Sequence, residues 1–283
     1  MMSKNSDRPL RDKFLRILKS CLWAGILVAS LHLILACATS PTGRKQFIVV
    51  SDQQMNLLGD QAFQQMKKEL PKDSDPKTRL YVDCIVRALS QFVPSEASGE
   101  NWEVVIFKDK SANAFALPGG KIGVYTGMLR VAQTPGQLAA VIGHEIGHVM
   151  ARHGAERAST VLATQTGLVL VDALAKESRH RNEMMGVLGI GAQFGVILPH
   201  GRRQELEADE IGLDLMAKAG FNPTESVRLW ENMSKTSGQG PPEFLSTHPA
   251  NDQRIQYLQS HMAQARALFH EAQLNGRDPN CHK

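Results

Sequence analysis

At 283 residues, 42% of them hydrophobic, the chain is long enough for one sizeable domain or two small ones, and its composition excludes a disordered or collagen-like protein. The formal charge of +4 lies entirely in residues 1–36, where six Lys and Arg side chains face two Asp, so the remainder is neutral. A neutral remainder carries no basic stripe to neutralise phosphates, which excludes nucleic acid as a partner.

The first element is a leader. A basic region ending at Lys19 precedes an apolar run from Cys21 to Ala36, which is shorter than the ~20 residues a spanning helix requires. This pattern predicts a secretory signal peptide over 1–36, with an uncleaved anchor as the alternative. The run closes Leu33-Ile34-Leu35-Ala36-Cys37 and resembles the lipobox of bacterial lipoproteins. The resemblance implies a lipid on Cys37 and attachment to a membrane from the periplasm. With Ala38 rather than aspartate after the cysteine, it favours the outer membrane over the inner one. Of the other cysteines, Cys84 and Cys281 remain in the mature chain, open either to pairing in an oxidising compartment or to two separate thiols.

Residues 37–50 read as a tether, 51–275 as the main domain and 276–283 as a tail. Ser51 and Gln54 form a capping box that starts a polar helix reaching about Leu70. A second helix is expected over Lys77–Phe92 with Leu80, Cys84, Val86 and Leu89 inward. Trp102–Phe107, Ala114–Leu117 and Lys121–Tyr125 are rich in β-formers, and Pro118-Gly119-Gly120 supplies a hairpin turn. Helices follow: Thr134-Pro135-Gly136-Gln137 starts one expected to run to His153 and stop at Gly154. Two apolar stretches lie in 159–199, read as buried or amphipathic helices with membrane-surface contact as the alternative. Further helices are expected over Gln204–Ala219, from Asn222 onward, and from His248-Pro249 to about Gln273.

The chemistry concentrates in His144-Glu145-Ile146-Gly147-His148. On a helix, positions i and i+4 share a face, so both imidazoles can reach one zinc ion, with Glu145 placed to take a proton from water activated there. Leu138 to Gly143 is apolar or small, so this helix is buried and its polar side chains need a partner such as a metal. A catalytic zinc needs a third protein ligand. In Glu205-Leu206-Glu207-Ala208-Asp209, helical periodicity assigns Glu207 and Glu210 to a polar, solvated face and turns Glu205 and Asp209 inward. Glu205 is then the third ligand of a single zinc, and Asp209 orients a ligating imidazole. His153, His200 and His261 read as solvated.

The pair H-E-I-G-H and E-L-E-A-D, with Asn113-Ala114-Phe115-Ala116-Leu117-Pro118-Gly119-Gly120 and Thr247-His248-Pro249 followed by Arg254, resembles the zinc metalloendopeptidases related to the CAAX prenyl protease and bacterial HtpX, metallopeptidase family forty-eight. The resemblance implies an α+β, predominantly helical, zincin-like metalloprotease domain with a small sheet and hairpin lining the cleft. By the same resemblance His144, His148 and Glu205 bind Zn2+ and Glu145 is the general base. Asn113, Ala114, Phe115 and Ala116 form the strand that binds an extended substrate by β-augmentation. His248 is a regulatory fourth ligand, and Arg254 either polarises the scissile carbonyl or ties down the last helix. Together with the lipobox, this implies unfolded or misassembled envelope proteins as substrates and the outer-membrane assembly machinery as a partner. The rival readings are a periplasmic chaperone or assembly adaptor with latent proteolysis, and a purely structural zinc protein.

Overall fold

A computed structural model describes residues 37–98, 102–174, 198–236, 244, 248 and 252–282. The signal-peptide reading of 1–36 and the helix reading of 175–197 fall outside the described residues. Among the described residues no helix is long and apolar enough to cross a membrane.

The chain opens with two short antiparallel strands, β1 (Cys37–Thr39) and β2 (Lys45–Phe47). Helix α1 (Asp52–Glu69) carries the expected capping box: the Ser51 side chain accepts from the Gln54 backbone and the Gln54 side chain accepts from the Ser51 N–H. Helix α2 (Pro76–Ser90) starts with Asp75 accepting from the N–H groups of Lys77 and Thr78. Its buried face is Tyr81, Val82, Ile85, Val86 and Leu89. Leu80, expected inward, is 64% exposed, because the inward stripe is centred on Tyr81 and Ile85.

After the short helix α3 (Ser95–Ser98) come β3 (Glu103–Phe107), β4 (Ala114–Leu117) and β5 (Lys121–Tyr125), in the sheet order β3-β5-β4. Strand β5 is central, parallel to β3 and antiparallel to β4. Strand β4 therefore forms an edge, paired only with β5 among the described residues. Helix α4 (Met128–Val131) leads into α5 (Pro135–Met150), which begins where Thr134 accepts from the Gln137 N–H. Every residue of α5 from Gly136 to Val149 is buried, between β4 on one side and helix α7 (Leu198–Lys218) on another.

Helix α5 stops at Met150, earlier than its pattern suggests. Arg152 takes the left-handed conformation at φ 54, and α6 (His153–Leu174) starts immediately after it. Gly154 thus lies inside a helix rather than ending one. Helices α8 (Thr224–Thr236) and α9 (Asp252–Leu274) complete the helical layer.

The closeness of α5 and α7 is built by glycine. A Cβ on Gly212 would lie 2.7 Å from the His144 backbone nitrogen, and one on Gly147 would lie 2.8 Å from the Ala208 carbonyl oxygen. No larger residue fits at either point without separating the helices. The chain end is also fixed: Cys84 in α2 is disulfide-bonded to Cys281 across a sequence separation of 197, and Cys281 is buried. Residues 276–282 are therefore attached to the domain. Residues 37–50 are likewise packed on it rather than slack. Gln46 donates to the Ala151 carbonyl, and the N–H groups of Val49 and Val50 donate to Ser159 Oγ in α6.

Candidate metal centre

The buried stretch of α5 presents His144 and His148 one turn apart toward α7. Their Nε2 atoms stand 3.1 Å apart, and both lie 3.4 Å from the Glu205 carboxylate. His248 joins them, its Nδ1 at 3.2 Å from His144 Nε2 and 3.0 Å from Glu205 Oε2. One ligand atom from each of His144, His148, Glu205 and His248 falls within 4.8 Å of all the others. Tetrahedral ligands held ~2.0–2.1 Å from a zinc ion would lie roughly 3.3 Å from one another. The observed separations of 3.0 to 3.4 Å are close to that spacing, so the donor set fits a zinc ion.

Protonation gives a second test of the fit. His144 Nδ1 lies 2.9 Å from Asp209 Oδ1, a carboxylate that can only accept, so this nitrogen carries the proton and Nε2 points at the convergence point. Burial and the neighbouring Arg254 disfavour a charge on His144, yet Asp209 and Glu205 outweigh them and raise its pKa to about 9. At His148 burial wins and the pKa falls well below 6.5. Burial works against an ionised Glu205, but hydrogen bonds from His144, His148 and His248 hold its carboxyl far below the usual range. The ionised Glu205 thus sets a negative charge beside the two ring nitrogens.

Glu145 is 5% exposed, and its Oε1 makes no hydrogen bond among the described residues. His248 Nε2 lies 3.4 Å from that oxygen. A buried, unbonded carboxylate oxygen beside a metal cradle is costly unless something with a proton to give reaches it.

Asp209 is held in turn by Arg254, whose Nε and Nη2 donate to its two oxygens at 2.7 and 2.6 Å. Arg254 Nη1 reaches Glu205 Oε2 at 3.1 Å and donates to the His248 carbonyl at 3.3 Å, while the guanidinium sits 4.2 Å over the Trp230 ring. The residue is 2% exposed.

Strand β4 runs alongside α5. Of the expected substrate strand, Asn113 immediately precedes it and Ala114, Phe115 and Ala116 lie within it. The Phe115 ring packs over Gly123 with Phe63, Phe107 and Tyr125, leaving the backbone as what β4 offers at its edge. At the head of this strand the Phe244 N–H donates to the Ala112 carbonyl, and the His248 N–H donates to the Phe244 carbonyl. The residue that contributes the fourth donor atom is thereby joined to the β4 end of the sheet.

Two buried residues differ from their sequence reading. His153, expected on a solvated face, is 0% exposed, with Nδ1 2.8 Å from His148 Nδ1 and Nε2 3.1 Å from Glu207 Oε2. Glu207, expected in solvent, is 4% exposed because the N-terminal strands cover that side of α7. Arg44, between β1 and β2, donates from Nε to Glu207 at 2.6 Å and from Nη1 and Nη2 to Glu156 at 2.7 and 2.8 Å. Burial alone would raise the Glu207 carboxyl. Hydrogen bonds from His153, Ser40, Thr42 and Arg44 hold it instead at about 2. His261 is half-buried beside Tyr257, and the side chain of His200 lies outside the described residues.

Comparison with known proteins gives a consistent answer. The model of peptidase family M48 matches residues 76–262. The chain is 32% identical to the mitochondrial metalloendopeptidase OMA1 of Schizosaccharomyces pombe over 79% of its own length and 66% of that protein. It is 28% identical to the metalloprotease LoiP of Escherichia coli, over 76% of this chain and 82% of the relative. With the β-barrel assembly-enhancing protease of Yersinia pestis it shares 31% identity over 72% of this chain and 43% of that protein. Across the fission-yeast and Arabidopsis thaliana OMA1 proteins, the chain spans 66% and 36% of the relative's length.

Proposed function

The chain belongs to peptidase family M48, and from that membership we propose that it is a zinc-dependent metalloendopeptidase. The observation that carries this reading is the convergence of His144, His148 and Glu205 on one point with the unbonded oxygen of Glu145 beside it. In this proposal those three residues hold one zinc ion per chain, with Asp209 fixing the His144 ring. The ion, when bound, supplies Lewis acidity to a peptide carbonyl and lowers the pKa of water. Glu145 Oε1 takes the proton of the attacking water and returns it to the leaving amine. The edge of β4 that pairs with no strand among the described residues holds the substrate backbone extended, across Asn113, Ala114, Phe115 and Ala116. Burial excludes bulk water and keeps Glu145 and the ligands fixed through the reaction.

His248 supports a second layer to the reading, a latent enzyme. Its imidazole occupies the donor set and also faces Glu145, so while it stays there a substrate carbonyl has no access to the same point. Activity then requires movement of the segment that carries His248.

For location and substrates, the lipobox ending at Cys37 and the similarity to LoiP and to the β-barrel assembly-enhancing protease support a periplasmic lipoprotein, held at the outer membrane through its N-terminal lipid. Its substrates would be unfolded or misassembled envelope proteins, with the outer-membrane assembly machinery as a partner. The test is casein cleavage and bound zinc for the full chain and for Glu145→Gln. Cleavage by the wild type alone, with zinc retained in both, is expected. A wild type that holds no zinc overturns the reading. His248→Ala is expected to cleave faster than the wild type if the enzyme is latent.

A further inference from the structure

Two imidazole nitrogens 2.8 Å apart can bond only if one carries a proton and the other does not, which is the relation between Nδ1 of His148 and Nδ1 of His153. The direction of that bond follows from the far side of His153. Its Nε2 lies 3.1 Å from Glu207 Oε2, an acceptor-only carboxylate, so Nε2 carries the proton of a neutral ring. His153 Nδ1 is then bare, and His148 Nδ1–H is the donor. The second nitrogen of His148, Nε2, is left without a proton and faces Glu205 and His144.

The two histidines of α5 are thus oriented by different devices. His144 donates directly to the Asp209 carboxylate. Among the described residues His148 has no carboxylate at its Nδ1; it reaches Glu207 through a second imidazole. Glu207 is itself fixed by Arg44 Nε and Thr42 Oγ1, both at 2.6 Å, from the turn between β1 and β2. The left-handed turn at Arg152 is what brings His153 back under His148, since a continuous helix would carry it ~140° around the axis.

We propose that His153 is a positioning residue for the metal centre: it relays the Glu207 carboxylate to His148, fixing the tautomer and ring orientation that a zinc ligand at Nε2 requires, with Arg44 of the N-terminal hairpin as the outer anchor of the relay. This rests on His148 being a zinc ligand. Carboxylates that act on metal-bound histidines tune affinity by roughly 10–100-fold, and an imidazole interposed between them leaves the same orienting bond on the ligand.

The test uses the full chain and reads zinc affinity by competition with a chelator. His153→Phe fills the space but removes both bonds. His153→Asn keeps an acceptor where Nδ1 stood and loses the bond to Glu207. The expected result is a roughly 10–100-fold loss of zinc affinity in His153→Phe and a value within a few fold of wild type in His153→Asn. The metal-free forms of the two variants should unfold at similar temperatures, because both leave Glu207 without His153. Should His153→Phe not fold, Glu207→Gln, with a weaker acceptor, is expected to lose affinity severalfold, and side-chain nitrogen spectra of the metal-free wild type should place the His148 proton on Nδ1. The relay is overturned if His153→Phe or Glu207→Gln binds zinc as the wild type does, if the two His153 variants lose affinity alike, or if the His148 proton is found on Nε2. A wild type that binds no zinc sinks the proposed function as well, whereas tight wild-type binding with an unaffected His153→Phe sinks the relay alone.

Discussion

Arg254 grips both carboxylate oxygens of Asp209, at 2.7 and 2.6 Å, from a side chain that is 2% exposed. Asp209 in turn receives the Nδ1 proton of His144, so the last helix of the domain bears directly on a candidate ligand. Through Asp209 and Glu205, Arg254 joins the last helix to the donor set. Removing the guanidinium leaves two buried carboxylates, Asp209 and Glu205, short of their cation. Arg254→Met is therefore expected to cost about 3–5 kcal/mol in urea unfolding. Arg254→Lys should recover little, because an ammonium cannot make the two-pronged contact or the stack on Trp230. Near-wild-type stability in Arg254→Met would show that the pair is not needed.

The approach of α5 to α7 makes a second prediction. A methyl group at Gly212 meets the backbone of His144 at 2.7 to 2.9 Å, and backbone cannot swing aside as a side-chain tip can. The helices must separate, moving Glu205 away from both histidines. Gly212→Ala should lose about 1–3 kcal/mol of stability to overpacking. Its zinc affinity should fall by more than the stability change alone accounts for. Gly201→Ala, where a Cβ would meet nothing within 4 Å among the described residues, should change neither quantity. Chelator competition and denaturant unfolding on the three proteins decide the matter.

Much of this arrangement was legible in the sequence where a local pattern carries the signal. The i, i+4 spacing of His144 and His148, the inward face of Glu205 and Asp209, the capping box at Ser51 and the β-rich segments all correspond to what the structure contains. The polar layer behind His148 was not legible, for two physical reasons. Nothing in Val149-Met150-Ala151-Arg152 signals a helix end, since the left-handed residue is Arg152 and glycine is the usual mark of that conformation. With the helix extended through it, His153 falls on the wrong face. Glu207 belongs to a polar face of its own helix, and only the distant strands that carry Arg44 make that face an interior. Periodicity reports a helix's own asymmetry and not what will cover it.

The Cys84–Cys281 disulfide closes most of the domain into one loop and joins the chain end to α2. Long closed loops gain the most from loss of unfolded-state entropy, and removing such a bond costs roughly 2–5 kcal/mol. The double substitution Cys84→Ser with Cys281→Ser is expected to lower the thermal midpoint by several degrees while zinc affinity stays near wild type, because neither cysteine touches the metal centre. A dithiol reductant should lower the wild-type midpoint and leave the double variant unchanged. Equal responses of the two proteins to reductant would count against the bond.

Arg44 and Glu156 give a pH-dependent prediction whose sign follows from the direction of the Glu156 shift. Burial disfavours the ionised carboxyl, but the Arg44 guanidinium and the amides of Gln204 and Gln46 outweigh it, so the folded pKa lies below the ordinary 4.5. A depressed carboxyl contributes stability that is fully present above its unfolded pKa and is lost as pH falls below it. The Glu156 contribution, read as the stability gap between the metal-free wild type and Arg44→Met, should therefore hold above about pH 5 and shrink as the solution is acidified further. In Arg44→Met the carboxyl loses its main partner. At pH 7 the variant should be weaker by about 2 kcal/mol, a value between those of exposed and fully buried pairs and suited to side chains 20% and 6% exposed. Its acid decline should be shallower, so that the two curves converge as Glu156 takes up its proton in both proteins. Parallel curves with a constant gap down to pH 3 would mean that Arg44 acts through packing rather than through its charge.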